Sequence, residues 1–310
     1  MALPHQPPHA LSKLDAVVFG MPFDGLATLR GGATRHAPAV IRKMSMLYGG
    51  YNLDWDFEVF DYLTAADCGD IDVVLGNAAE SYRRLEMAVA EIVRAGAFPV
   101  MLGGDHGVTY PAVKGLTESL GRGFGVIIFD THLDLCEQYR NDRLSRASPL
   151  KRICELEHID PTRVCVIGAK GPRNLPEWMP LARDLGIRIF TLAEVDTRGM
   201  RAVAEEALAL ATSEGCPPYV SVDIDAVDAA FAPGTNSVDV GGLTSREIIM
   251  GTRIVCERGV AGFDVVEVAP EWDGGSHITS ALAARLVAEM FAAVAAKRAG
   301  KSRAWDFMAQ

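Results

Sequence analysis

Three short stretches run from apolar residues straight into side chains that bind metals or move protons. In Gly125-Val-Ile-Ile-Phe-Asp-Thr-His-Leu-Asp134, four apolar residues lead into Asp130, His132 and Asp134, each two positions from the next. Tyr219-Val-Ser-Val-Asp-Ile-Asp225 repeats the design with Asp223 and Asp225, and Asp228 follows shortly after. In Pro99-Val-Met-Leu-Gly-Gly-Asp-His106, two glycines allow close backbone approach just before Asp105 and His106. If Asp130, Asp134, Asp223 and Asp225 converge, their charges repel, and some must protonate unless cations sit between them. Two divalent ions would cancel the four charges. Two imidazoles with bridging carboxylates suit manganese, iron, nickel or zinc rather than calcium, and no cysteine joins the candidates as a structural zinc site would require. Any one stretch alone could be a salt-bridged acidic loop; three such strand ends in one chain are hard to explain that way.

The elements that must position these residues follow from periodicity. A short unbroken apolar run suits a parallel strand buried on both faces, and ligands of open α/β sheets bind just beyond the carboxyl ends of such strands. Further strands are expected at Ala16–Gly20, Phe57–Tyr62, Arg163–Ala169, Ile187–Leu192 and Gly262–Val268. Helical spacing is expected from Pro38, over 78–95 with Gly96 as the stop, from Pro111, at about 148–157, 177–185, 199–213 and 245–258, and over Ser280–Lys297. Strands alternating with helices predict a parallel sheet covered on both faces. Residues 1–13, with three prolines, read as an irregular arm, and 1–310 reads as a single domain without repeats or linkers. Asp24, Arg30 and His36 lie in a glycine- and proline-punctuated loop, where polar residues are more often structural than functional.

Composition narrows the function classes. The chain has 310 residues, 49% hydrophobic and 23% charged, which allows one large α/β core. A net charge of -10 offers no footprint for nucleic acid and favours a cationic substrate. Six cysteines without CxxC spacing read as thiols of a reducing compartment. The first residues lack the basic and apolar regions of a signal peptide, and no apolar run approaches a membrane span, so a cytoplasmic protein is expected.

Taken together, Gly103-Gly-Asp-His106, Asp130-x-His-x-Asp134, Ser221-x-Asp-x-Asp225 with Asp228 and Pro233-Gly234, Gly241-Gly-Leu243 and Glu267-x-x-Pro270 occur in the order seen in the arginase/agmatinase (ureohydrolase) family. Gly20-x-Pro-x-Asp24 and the Gly32 to Arg42 stretch are similar to that family too. The chain resembles its agmatinase-like branch over nearly its whole length, as an atypical member. The resemblance implies an α/β fold of three α/β/α layers with a mainly parallel eight-stranded sheet, as in arginases and related deacetylases. It implies a pair of Mn²⁺ ions, or Ni²⁺ in some members. His106 and Asp134 would hold one ion, His132 and Asp225 the other, with Asp130 and Asp223 bridging. It also implies trimers or hexamers and a small cationic guanidino substrate.

The implied reaction suits the residues. A guanidinium carbon is a poor electrophile, so water must arrive as hydroxide, which two metals can supply at neutral pH. Asp134 would hold the nucleophile and pass a proton to the leaving amine, and Glu267 would bind the guanidinium. The plainer reading of Glu267 is a buried carboxylate paired with an arginine such as Arg42. The expected activity is hydrolysis of a C–N bond in an agmatine-, guanidino-acid- or substituted guanidine- or biguanide-like compound. A single-zinc deacetylase would not need His106 together with the full Asp130-x-His-x-Asp134 set.

Several positions depart from the family pattern. Where a loop histidine is usual, this chain has Arg146-Ala-Ser-Pro-Leu150, and arginine cannot shuttle protons at neutral pH. Proton transfer is then delegated, or Arg146 contacts substrate, or turnover is slow. His277 is a candidate catalytic stand-in. Gly107, Ala229 and Asn236-Ser-Val also depart, and Leu133, Leu135 and Cys136 suggest a more apolar pocket, with Cys136 beside substrate. Arg140, Arg143 and Arg146 could attract a carboxylate tail, although surface pairing is the commoner fate of a loop arginine. The alternative expectation is a catalytically weak partner subunit of a mixed oligomer.

Overall fold

A computed structural model describes residues 1, 3–5, 11, 13–25 and 31–301 of the chain. In chain order the elements are β1 (Ala16–Gly20), α1 (Ala37–Ser45), β2 (Tyr51–Asn52), β3 (Phe57–Glu58), β4 (Ala65–Asp70), α2 (Ala78–Arg94), β5 (Phe98–Leu102), α3 (Thr109–Leu120) and β6 (Val126–Phe129). They continue with α4 (Pro149–Ile153), β7 (Val164–Ala169), α5 (Trp178–Leu185), β8 (Arg188–Thr191), α6 (Leu192–Arg198), α7 (Met200–Ala211), β9 (Tyr219–Asp223), α8 (Ser245–Cys256), β10 (Gly262–Val266) and α9 (Ile278–Arg298). Eight strands form one parallel sheet in the order β4-β1-β5-β10-β9-β6-β7-β8.

Alternation along each strand divides the core into two. Val18, Leu102, Ile127 and Phe129 face one helical layer, built from α1 and α6 to α9, while Val17, Met101, Val126 and Ile128 face the other, built from α2 to α5. The expected three-layer arrangement is what the chain adopts. Local signals set the helix ends: Asn77 accepts from Glu80 N–H at the start of α2, Thr244 and Glu247 form a reciprocal cap on α8, and Gly121 ends α3 in the left-handed region.

Three expectations need correction. Phe57–Tyr62 is not a sheet strand; only Phe57–Glu58 is extended, pairing with β2, and a 3₁₀ turn follows. The sheet edge is instead Ala65–Asp70, whose acids are held by Arg42: Nε donates to Asp67 Oδ2 at 2.6 Å, and Nη1 donates to Asp70. Leu192 opens α6 rather than ending a strand, because Thr191 accepts the Glu194 N–H. α9 does have the length and hydropathy of a membrane span, contrary to the sequence reading, yet 78% of its apolar window is buried within the protein. Apolar on every side, it serves as a core helix. Arg30 and residues 2, 6–10 and 12 of the expected arm lie outside the described residues.

Candidate metal centre and its pocket

Four adjacent strands, β5, β10, β9 and β6, end side by side, each leading into a loop with a reactive side chain. β5 and β6 follow one another in sequence but are separated in the sheet by β10 and β9, so the loops meet where the winding of the sheet reverses. Gly104 allows the crowding: a Cβ there would stand 1.8 Å from the Phe23 carbonyl oxygen. The Gly104 carbonyl in turn accepts from Glu267 N–H at 2.9 Å, tying the end of β10 to that of β5.

His106 Nδ1 lies 3.0 Å from Asp130 Oδ2, 3.1 Å from Asp134 Oδ2 and 3.2 Å from Asp223 Oδ2. His132 Nδ1 lies 3.2 Å from Asp225 Oδ2 and 3.5 Å from Asp130 Oδ1. The six predicted residues therefore meet, and Asp130 faces both imidazoles with one oxygen each. Two overlapping groups, His106-Asp130-Asp223 and Asp130-His132-Asp225, could each hold a metal ion. His106 Nδ1, Asp130 Oδ2 and Asp225 Oδ1 are buried without a hydrogen-bond partner. Such atoms are costly in a fold, and a divalent cation at their convergence would satisfy them. The donor set fits a metal.

The surrounding bonds aim these donors. Ser221 Oγ sits 3.5 Å from His106 Nε2 and donates to Asp264 Oδ1 at 2.6 Å; Tyr219 OH and Thr109 Oγ1 donate to Asp264 Oδ2 at 2.7 and 3.0 Å. This buried chain sets the ring so that Nδ1 points at the carboxylates. Asp130 accepts its neighbour His132 N–H at 2.6 Å, and Asp223 accepts Asp225 N–H at 2.8 Å. Asp134 and Glu267 are both non-glycine residues in the left-handed region, with φ of 45° and 61°. Backbone held there costs on the order of 1–3 kcal/mol and persists where the surroundings enforce it.

Charge in the cluster behaves as crowding requires. Burial, then Asp130, raises Asp134; burial, then Asp225 and Asp130, raises Asp223. Burial opposes charge on His106, but Asp130, Asp134 and Asp223 prevail and raise it well above the usual range. His132 is likewise pushed up to about 12, against its burial, mainly by Asp225. Burial, then Glu267, lifts Asp105 to about 7.

Arg146 departs from the expected surface pairing. It is buried, its Nη1 donates to Glu267 at 3.1 Å (Oε2) and 3.3 Å (Oε1), and its Nη2 donates to Ser237 Oγ at 3.3 Å. Glu267 Oε1 also accepts from His106 N–H at 3.0 Å. Glu267 is thus a buried carboxylate with an arginine on it, and the partner is Arg146, not Arg42. Of the other loop arginines, Arg143 pairs with Glu137 and Glu155, and Arg140 lies over the Tyr139 ring.

The cluster opens onto a cavity of about 260 Å³. Cys136 and Ser237 line it, and so do Tyr139, Arg173, Leu175 and Trp178, which sequence reasoning passed over. The signal for Arg173 was present, since Gly171-Pro172 marks a turn at the carboxyl end of β7. His277 lines no part of the cavity; it stands at the N-terminus of α9 in the left-handed region. Asp24 accepts from Thr34 N–H and Oγ1, and His36 faces Glu271 at the surface, so both have structural partners.

The Arginase family model matches residues 14–292. Proclavaminate amidinohydrolase of Streptomyces clavuligerus is 35% identical over 291 residues, spanning 94% of this chain and 90% of that protein. The solved structure of that enzyme superposes with a TM-score of 0.87 at 33% identity, covering 95% of this chain and 96% of the other. Agmatinase of Bacillus anthracis is 34% identical across 89% of this chain and 90% of its own, and guanidinopropionase of Pseudomonas aeruginosa is 33% identical across 91% and 87%. These relatives bear the names of different hydrolases.

Proposed function

Because the chain belongs to the arginase family, we propose that it hydrolyses a C–N bond of a guanidino compound at a pair of divalent ions, releasing urea or a urea-like product and an amine. The observation that carries this reading is Asp130, one oxygen toward each imidazole, amid buried donor atoms that lack any other partner. His106 and Asp134 would hold one ion and His132 and Asp225 the other, with Asp130 and Asp223 between them. Mn²⁺ suits this mixed nitrogen and oxygen set, and Ni²⁺ is the alternative. When bound, the ions supply the Lewis acidity that turns water into a nucleophile at neutral pH.

The chain's own residues do the rest. Asp134, beside His106 and at the cavity wall, would accept the proton of the attacking water and hand it to the departing amine. Glu267 would orient a planar guanidinium by charge-assisted hydrogen bonds. That role is supported by the guanidinium it already engages, that of Arg146. Substrate must then compete with Arg146 for the carboxylate or share it. With no histidine in this loop, proton transfer falls to Asp134.

The test is metal analysis and urea release. Protein purified with Mn²⁺ should hold about two ions per chain and release urea from at least one of agmatine, guanidinobutyrate, guanidinopropionate or an alkylguanidine. A metal-free protein after such purification would end the proposal. A second reading, a weakly active partner subunit, is favoured by Arg146 lying on Glu267; brisk turnover by the pure chain would dismiss it.

A further inference from the structure

The proposed reaction leaves open what hangs from the guanidino group, and the cavity's charges bear on that question. Its wall carries four carboxylates, Asp134, Asp223, Asp225 and Glu267. All four are buried: three belong to the metal cluster, and the fourth lies under Arg146. None remains to receive the far ammonium of a doubly cationic substrate.

The exposed charge on the wall is Arg173. Its Nη1 donates to the Ser237 carbonyl at 2.8 Å, with the Val238 carbonyl at 3.4 Å, so the guanidinium is held in place by neutral oxygens. No carboxylate of the described residues forms an ion pair with it. Asp239, near enough to feel its charge, is already bonded to Lys170 at 2.7 Å. A guanidinium has five N–H donors, so Nε and Nη2 remain available for a bidentate partner. Ser237 joins the two arginines of the wall: its hydroxyl accepts from Arg146 and its carbonyl from Arg173. Leu175 and Trp178, which line the same cavity as the cluster and Arg173, offer apolar surface suited to methylene groups.

We propose that Arg173 anchors a carboxylate, so that the substrate is an ω-guanidino carboxylate, with a short methylene chain between a guanidinium at the cluster and an anion at the mouth. This rests on the hydrolase reading above and narrows it. The net charge of -10 points the other way, toward cations. Local groups outweigh it, because charges beyond about 10 Å are screened at physiological salt.

The experiment compares three compounds of matched length on the Mn²⁺-loaded protein: 4-guanidinobutyrate, butylguanidine and agmatine. The acid should give the highest kcat/KM and agmatine the lowest. Arg173→Ala should lower the ratio of kcat/KM for the acid over butylguanidine about 10-fold or more, chiefly through KM, the size of one lost charge-assisted contact. Arg173→Lys should keep the preference for the acid, and Arg173→Glu should move it toward agmatine. Calorimetric titration with the product amine 4-aminobutyrate gives a reading independent of turnover: binding should weaken about 10-fold in Arg173→Ala. Preference of the unaltered protein for agmatine, or an unchanged ratio in Arg173→Ala, would overturn the anchor. Absence of urea from all three compounds and from guanidinopropionate would sink the hydrolase reading instead, and the calorimetric comparison would still decide on Arg173.

Discussion

Two buried arginine–glutamate pairs, one between α8 and α9 and one just beyond the end of β10, are built differently. Arg253 on α8 grips Glu289 on α9 through two nitrogens, Nε to Oε2 at 2.5 Å and Nη2 to Oε1 at 2.9 Å. Arg285 adds a contact at 2.6 Å, and Asp54 backs Arg253 from the other side. Arg146 reaches Glu267 through one nitrogen only, at 3.1 and 3.3 Å, and the carboxylate rides on a left-handed backbone. The first pair is a forked, networked clamp between two helices. The second is loose, faces a cavity, and presents a carboxylate that another guanidinium could take. Burial alone does not distinguish a structural ion pair from a seat for ligand; the number of nitrogens engaged and the access to the cavity do.

The largest expected effect lies beside the looser pair. Asp225→Asn removes a cluster ligand; since loss of a supporting partner already weakens metal binding about 10- to 100-fold, urea release should fall more than about 100-fold, with less than the full metal content by elemental analysis. Retention of metal and activity would detach Glu267 from any metal chemistry.

The pairs themselves can be separated next. Glu289→Gln breaks a buried network and should cost about 3 kcal/mol in denaturant unfolding. Glu267→Gln should cost under about 1 kcal/mol, because Arg146 keeps the charges of Asp105, Asp134 and Asp223 nearby, while kcat/KM falls about 100-fold. Equal stability losses would erase the distinction.

Chelation offers a third test. Removing the ions leaves mutually repelling carboxylates, and loss of a ligand present at 100 times its Kd costs about 2.7 kcal/mol. A fall in Tm of about 5 °C is expected on that scale. Asp225→Asn should show little of it.

The mildest change is Arg146→His, which vacates the seat on Glu267. KM for a guanidino substrate should fall about tenfold, the worth of one competing charge-assisted bond. Abolished turnover would instead mark Arg146 as a group that holds the substrate.

The contrast also explains what the sequence could reveal. The cluster was legible because each ligand follows a local signature, an apolar run ending in Asp or His, as in Val126–Phe129 before Asp130. β4 was missed because Ala-Ala-Asp-Cys-Gly-Asp lacks such a run; its acids are tolerated at the sheet edge through Arg42, a contact made by tertiary folding. Arg146 read as a surface arginine because its partner lies 121 positions away, and nothing within the loop reports that the end of β10 will sit above it. His277 failed for the opposite reason: nearness in sequence to Glu267 did not bring it to the cavity, since the chain turns there to begin α9.

One feature of the sheet bears on how the molecule comes into being. β10 lies between β5 and β9, yet among the described strands it is the last to be synthesised. Until Gly262–Val266 is synthesised, both neighbours expose unpaired backbone, the kind of edge that invites aggregation. Chains stopped after α8 would keep nearly every residue of the candidate cluster and still be unable to assemble it, with the middle of the sheet open.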